Sequence, residues 1–555
     1  MLQIINKHKL LLLVLAVAAI LRLWGLGTNP PHLTNDEAAL GYNAYSILIT
    51  AKDEHGEFMP IVFKSFGDWK PGLYIYLTVP WVAIFGLNEF STRIVGALSG
   101  VIAVFLIYLI TRKIYPQNSW VALLSAFFFS TSPWHLQFSR GAWESGLSLT
   151  LVLAGTYFFL RSVFESEKWL TLSAFFFALT LWAYQGAKLS TLVVLVGLAL
   201  AYRNQVWKIS KKTLILSFLI GVIVSTPIII SVLQGRGSRL EIYNVFSYPR
   251  PEVYVNNILT QGGEDRNSWQ YIAYHSEGLN FARGILGRWL NHFSGKFLFF
   301  TGDWTSFRHS TPYTGELLLV TFVFLIFGIV TLARRGLTRE TVLLLFWLAV
   351  SPVPAAFSRD QVHAVRSFFM LVPLSIILSL GAVYLWEATH KRSRLLITSL
   401  FSLLFAVNFA YYLDQYWIHA PIDNAQSWHY GYKQMVEKVT PLQSVYPEIV
   451  IERSYDQPYI FFLFYQKYDP VKYQASASEV YEPSSVGDVG LITKLDNITF
   501  REPNWSADRG MRGKLFVYDT AKVPVVDSND AREFNLIDRI DYPNGQIAFR
   551  LIEVK

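Results

Sequence analysis

Over the first 413 residues, apolar runs of roughly twenty residues alternate with short polar breaks. An apolar helix of about 20 residues matches a bilayer core about 30 Å thick. Runs at 10–27, 94–111, 119–138, 146–161, 169–184, 187–202, 213–233, 315–332, 341–357, 367–386 and 395–413 predict about eleven spanning helices. The stretch Leu73–Leu87 is also apolar, but it has only about fifteen residues and contains Pro80. It predicts a helix lying at the membrane surface rather than a span. After Tyr416 the pattern changes. Pro421, Asp423 and Asn424 mark a turn. Short runs at Glu448–Glu452, Lys514–Tyr518 and Ile547–Val554 predict strands, and the aromatic run Tyr459–Tyr465 predicts a helix. The expected architecture is a polytopic α-helical membrane domain over 1–413, followed by a soluble α/β domain over 414–555.

Composition supports this division. Of the 555 residues, 52% are hydrophobic and 16% charged, against about 25% charged in a soluble protein. The deficit lies in the apolar runs. The net charge of +8 would suggest nucleic acid in a soluble protein. Here the basic residues sit in short breaks between apolar runs, which argues against it. One set of breaks carries Lys7/Lys9, Arg112/Lys113, Arg161/Lys168, Arg203/Lys208/Lys211/Lys212, Arg334/Arg335/Arg339 and Lys391/Arg392/Arg394. The other comprises 28–93, 139–145, 185–187, 234–314, 358–366 and 414–555, and the two sets alternate. The positive-inside rule makes the first set cytoplasmic. The N-terminus is then cytoplasmic and the 414–555 domain extracytoplasmic. The run after Lys7 and Lys9 lacks a small-residue cleavage site, so an uncleaved first span is expected. There is no cysteine, which excludes disulfides, thiolate metal sites and cysteine nucleophiles. That absence, with no organelle signal, points to a prokaryotic plasma membrane.

The candidate chemistry clusters in the outer set. Asp36 and Glu37 follow the first span at the start of a helical pattern. An N-cap with a dipole-favoured acid would explain them; a general base at the membrane surface also would. Lys70, between Trp69 and Pro71, stands where a lipid phosphate would be held. The tiny loop after 138 carries Arg140 and Glu144, either as a helical pair or as boundary groups of a site. Arg359, His363 and Arg366 precede an apolar run and have the chemistry of a phosphate clamp. The long loop 234–314 is rich in aromatics and contains Trp304, Arg308 and His309. Trp69, Trp304 and His309 are the candidates for sugar or acceptor contacts. There is no P-loop and no G-x-S-x-G elbow.

The order of these residues resembles the GT-C superfamily of membrane glycosyltransferases, in its protein O-mannosyltransferase and aminoarabinose-transferase branch. The features that carry the likeness are Asp36-Glu37 after the first helix, Lys70-Pro71 before an interfacial helix, Arg93 opening the next helix, Arg140 and Glu144 in the second outer loop, and Arg366 before Pro373. It spans about residues 10–413. It implies an extracytoplasmic reaction with a polyprenyl-phosphate sugar as donor. The acceptor would be a protein, lipid or polysaccharide hydroxyl. Asp36 would be the base, Glu37 would orient the acceptor or the base, and Glu144 would be a second acid lining the site. Lys70 and Arg366, joined by Arg140 and His363, would hold the donor phosphate. A single in-line displacement would invert the anomeric carbon. Relatives differ in whether a divalent metal sits nearby. Two departures stand out: Gly72 where a second proline is usual, and Glu144 where the acid is often Asp.

Two other classes fit the spans. A transporter or flippase for a lipid-linked sugar would show charges at mid-membrane and repeat symmetry; few such charges and no repeat are visible. A non-catalytic envelope assembly protein would leave the Asp36 carboxylate without a chemical task.

Overall fold

The computed structural model describes residues 2–66, 68–236, 244–453, 457–476, 481–482, 491–519, 530 and 532–555. A helix α1 (Leu2–Leu23) leads into the first outer loop, which holds α2 (Asn35–Thr50), a hairpin of β1 (Val62–Ser65) and β2 (Asp68–Pro71), and α3 (Leu73–Phe85). Then come α4 (Glu89–Ile114), α5 (Ser119–Thr131), α6 (Pro133–Arg140), α7 (Glu144–Phe164), α8 (Trp169–Ala183), α9 (Ala187–Ala201) and α10 (Lys211–Leu233). After the long loop follow α11 (Thr321–Arg335), α12 (Arg339–Val350), α13 (Leu371–Ala388) and α14 (Arg394–Asp414).

Each expected apolar run coincides with a helix. Among the described residues, six helical stretches are long and apolar enough to cross a membrane. Four more apolar helices, among them α3, α5 and α8, are shorter. The protein is thus a polytopic helical membrane protein. Prolines account for part of the shortening. The expected run 119–138 breaks at Ser132–Pro133, where Pro133 restarts the chain as α6. The run 341–357 breaks at Ser351–Pro352. α3 has 13 residues, about 20 Å of helix, with Pro80 inside it.

Beyond α14 lie α15 (Tyr432–Val439) and α16 (Tyr459–Tyr465). With them comes a mixed sheet of β3 (Ile449–Ile451), β4 (Lys494–Leu495), β5 (Ile498–Phe500), β6 (Leu515–Tyr518), β7 (Phe534–Asp541) and β8 (Ile547–Val554). The strand order is β4-β5-β3-β6-β8-β7. β3 runs parallel to β5 and β6, with Val450 opposite Thr499 and Phe516. It is buried on both faces, which explains its unbroken Ile-Val-Ile run. β8 closes the far side antiparallel to β6 and β7.

Residues 414–555 do not stand apart from the first outer loop. One apolar core contains Leu33, Ala39, Tyr74, Tyr432, Phe461 and Leu551 together. Gly41 is what allows this approach. A Cβ there would lie 2.5 Å from Thr92 Oγ1 and 2.6 Å from the Phe464 ring. α2 therefore sits wedged between α4 and α16, which fixes the first turn of the helix, where Asp36 and Glu37 lie.

Candidate active site

The two adjacent carboxylates of α2 have different environments. Thr34 caps the helix and accepts from Glu37 N at 3.2 Å, while Glu37 Oε2 accepts from Thr34 N at 3.0 Å. This is a capping box. Glu37 Oε1 also accepts from Ala142 N at 2.8 Å. Arg93 grips both oxygens, at 2.9 and 3.1 Å. Glu37 is 3% exposed and Arg93 is fully buried. Arg93 also donates to the carbonyls of Pro30 (2.8 Å) and His32 (2.6 Å). Glu37 thus ties α2, α4 and the 141–143 loop into one unit, and its lone pairs are spent on protein donors. The capping explanation applies to Glu37, which orients the start of α2.

Asp36, one residue earlier, turns outward. Its side chain is 47% exposed and pairs with Lys70 Nζ. Lys70 stands in β2, opposite Phe63 in the hairpin, with its ammonium 5.0 Å from the Phe66 ring centroid. The hairpin also explains Gly72. A Cβ at that position would come within 2.4 Å of the Phe63 ring and 3.0 Å of Ile61 O. A second proline has no room there.

Glu144 opens α7 and is partly buried. Its link to Asp36 runs through Tyr184, at the end of α8. The charges of Arg366, Glu144 and Asp36 all bear on the Tyr184 hydroxyl. Beside them, Trp143 meets His309 edge-on at 5.6 Å, and the Arg308 guanidinium lies over the Trp143 ring. The far rim is supplied by the C-terminal segment. His429 Nδ1 accepts from Asn35 N at 3.3 Å. Burial, then the nearby Arg308, pushes the His429 imidazole down to about 3, so it is neutral.

A second cluster lies in the long loop. His309 Nδ1 donates to Asp303 Oδ2 at 2.8 Å. The other Asp303 contacts are Ala364 N (2.8 Å), Thr305 N (3.0 Å), Thr305 Oγ1 (2.6 Å) and Ser306 N (3.2 Å). Burial opposes ionisation of Asp303, but the His309 hydrogen bond and the other donors hold its carboxyl well below the usual range. The His309 and His363 rings are 5.0 Å apart. Burial lowers both imidazoles, and Arg366 lowers His363 further. His363 Nδ1 accepts from Arg366 N at 3.4 Å and caps a short helical turn, 364–367. Asp303, His309 and His363 each offer a ligand atom within 4.8 Å of the others, the spacing a metal ion would need. The donor chemistry does not suit a cation. Asp303 already accepts five hydrogen bonds, and the positive charges of Arg308 and Arg366 bear on His309. Arg366 Nη1 also lies 3.5 Å from Asp360 Oδ2, an ion pair that an incoming anion would have to share.

Three expected contacts have other partners. Arg140 does not face a donor phosphate. It is 1% exposed and donates to Leu21 O (2.6 Å), Asn29 O (2.9 Å) and the Tyr416 hydroxyl (3.0 Å). Its guanidinium lies 4.4 Å from the Trp417 ring centroid. Nor does it pair with Glu144, because Gly141 ends α6 and the helix restarts at Glu144. Arg140 is instead a staple between α1, α6 and the chain beyond α14. The Trp69 ring is covered by Arg236 (4.7 Å), and the Trp304 ring by Lys296 (4.3 Å). Each therefore has a cation on one face. The Asp68 side chain lies outside the described residues. Tyr184, Asp303 and His429 carried no sequence signal. Each is a single polar residue in a loop or at a helix end, and only the packing gives it neighbours.

Comparison with known proteins bears on the fold and on part of the sequence. The dolichyl-phosphate-mannose-protein mannosyltransferase family matches residues 70–230. No curated protein matches the chain. The crystal structure of ArnT from Cupriavidus metallidurans bound to undecaprenyl phosphate is similar over 99% of this chain and 97% of its own. The identity is 12% and the TM-score 0.52. The apo state of the same protein is similar over 98% and 97%, at 12% identity and a TM-score of 0.53. The Archaeoglobus fulgidus oligosaccharyltransferase, tethered to an acceptor peptide containing the NVT sequon, is similar over 98% of this chain and 74% of its own. Here identity is 14% and the TM-score 0.50. The chain is thus similar to the dolichyl-phosphate-mannose-protein mannosyltransferase family from Lys70 to residue 230, and it shares the fold of ArnT along nearly its whole length.

Proposed function

We propose that the protein transfers a hexose-type sugar from a polyprenyl-phosphate donor to an acceptor hydroxyl at the membrane face that carries Asp36. The observation that carries this reading is the contrast within the acidic pair. Glu37 is locked by Arg93, while Asp36 stays half exposed beside Lys70. A polyprenyl donor is confined to the bilayer and presents its phosphate and sugar at the interface. The base should therefore lie just past a helix end, as Asp36 does.

In the reaction, the acceptor oxygen forms a bond to the anomeric carbon and its proton passes to Asp36. The bond from that carbon to the phosphate oxygen breaks, and the phosphate leaves with the electron pair. Attack opposite the leaving group inverts the centre. Lys70 and Arg366 counter the charge that develops on the phosphate. A phosphate that draws Lys70 from Asp36 also frees the carboxylate to accept the proton. His363 and His309, beside Arg366, extend the anion-binding wall. Glu144 bears on the acceptor through Tyr184. The relative seen with undecaprenyl phosphate supports the donor class. The acceptor is a protein, lipid or polysaccharide hydroxyl, met on the rim that Trp69, Trp304 and His429 border. The proposed setting is the plasma membrane, with residues 1–413 as the membrane domain; the charge alternation supports a cytoplasmic N-terminus and an extracytoplasmic 414–555.

The test is transfer of radiolabelled sugar from polyprenyl-phosphate donors by the purified protein. Asp36→Asn should lose at least about a hundredfold of rate with an unchanged thermal melt. Full activity in Asp36→Asn would remove Asp36 as base. No transfer by the wild type across donors and acceptors would favour the transport or assembly readings.

A further inference from the structure

The face opposite Asp36 carries a second built site. The C-terminal ends of α4 and α11, the start of α12 and the end of α7 enclose a cavity of about 730 Å³. Arg112, Lys113, Arg335 and Arg339 line it, with Glu340 as the one acid. Glu340 is already held by Arg339 at 2.6 Å, and Lys113 by Glu165 outside the lining. Arg112 and Arg335 form no ion pair among the described residues. The guanidiniums are pre-positioned by their neighbours. Arg335 lies over the Tyr115 ring at 5.0 Å, Arg339 over Phe164 at 5.2 Å, and Arg112 donates to Pro116 O at 3.2 Å. The Tyr115 side chain is 2% exposed, lines the cavity, and its hydroxyl has no hydrogen-bond partner among the described residues. A buried hydroxyl donor beside fixed guanidiniums is the chemistry that receives a phosphate oxygen.

The position narrows the ligand. Along α4, Arg93 and Lys113 are twenty residues apart, about 30 Å of helix, which is the thickness of a bilayer core. The cavity therefore lies at headgroup depth in the leaflet opposite the Glu37–Arg93 pair. Phe164 in its wall is 40% exposed, and Leu337, between Arg335 and Thr338, is 84% exposed. These apolar groups border the charge where acyl chains begin. We propose that this cavity binds the phosphate headgroup of an anionic phospholipid. The site is separate from the transfer chemistry and anchors the ends of α4, α7, α11 and α12 to that leaflet.

The test uses the full chain in neutral detergent. Native mass spectrometry counts retained lipid, and thermal melts follow titration with phosphatidylglycerol, phosphatidylcholine or inorganic phosphate. Phosphatidylglycerol alone should raise the melt and remain bound. Each guanidinium removed should weaken it roughly fivefold, so the double variant Arg335→Gln/Arg339→Gln about twenty-fivefold. Tyr115→Phe keeps every charge and should weaken binding severalfold, which covers a failure of the double variant to fold. Lys208→Gln/Lys211→Gln, basic on the same face but outside the lining, should bind as wild type. Equal protection by phosphatidylcholine, or an equal loss in the Lys208/Lys211 control, overturns the site. Equal protection by inorganic phosphate overturns the lipid assignment.

Discussion

Replacing Glu37 by Gln separates the two members of the acidic pair. The native carboxylate accepts four hydrogen bonds, from Thr34 N, Ala142 N, Arg93 Nε and Arg93 Nη2. Gln keeps one acceptor oxygen. Its NH₂ then faces two N–H donors whichever way the amide is turned. Arg93, fully buried, loses its counter-charge and keeps only carbonyl partners. Breaking a buried pair in this way costs about 3–5 kcal/mol. The expected result is a melt lowered by roughly 3–4 °C, with transfer by the surviving folded fraction reduced far less than in Asp36→Asn. Asp36→Asn alters a half-exposed pair, worth about 1 kcal/mol or less, and should barely move the melt. The assay is a paired thermal melt and initial rate, with the rate normalised to folded protein by size-exclusion chromatography. If Glu37→Gln melts like the wild type but loses transfer, Glu37 touches substrate and its assignment as a structural anchor is wrong.

Further outcomes follow from the same geometry. Lys70→Gln should raise the donor KM about tenfold or more while the melt moves by a degree or two, and donor titrations at fixed acceptor read this directly. Arg140→Gln should lower the melt by several degrees through loss of its contacts with Leu21, Asn29 and Tyr416; a raised donor KM in folded protein would instead return it to the phosphate site. Stability should fall on acidification. Burial holds the imidazoles of His32 and His292 down to about 4, so below about pH 6.5 the unfolded chain binds protons that the folded chain refuses. The contribution is present above about pH 6.5 and is lost between there and about pH 4, on the order of 3 kcal/mol for each ring. Melts from pH 7.5 to 4.5 should drop, and a His292→Phe variant should show a shallower drop.

Some of this site was legible in the chain. Asp36, Lys70, Glu144 and Arg366 stood out because ionisable residues beside apolar runs are costly and their order carried a family likeness. The strands 449–451, 515–518 and 547–554 and the helix Tyr459–Tyr465 lie where the patterns put them. Arg140 was legible as unusual, but its charge alone does not distinguish a ligand clamp from a staple. The carbonyls that hold it belong to α1 and its exit, about 110 to 120 positions away. Asp303 gave no signal because its environment is built from loop donors that have no period.

Sequence by itself determined where helices run, which breaks are basic and where the strand region begins, because period, length and charge belong to each segment alone. It could not decide between Asp36 and Glu37. Both sit in the first turn of the same helix, and either suits its dipole. Tertiary structure gives the two side chains different surroundings. The side chain that turns inward meets Arg93 from α4 and Ala142 from the 141–143 loop, and the one that turns outward meets Lys70 from the hairpin. Burial in low dielectric makes the first carboxylate a fixed part of the scaffold, while the second stays half exposed beside Lys70.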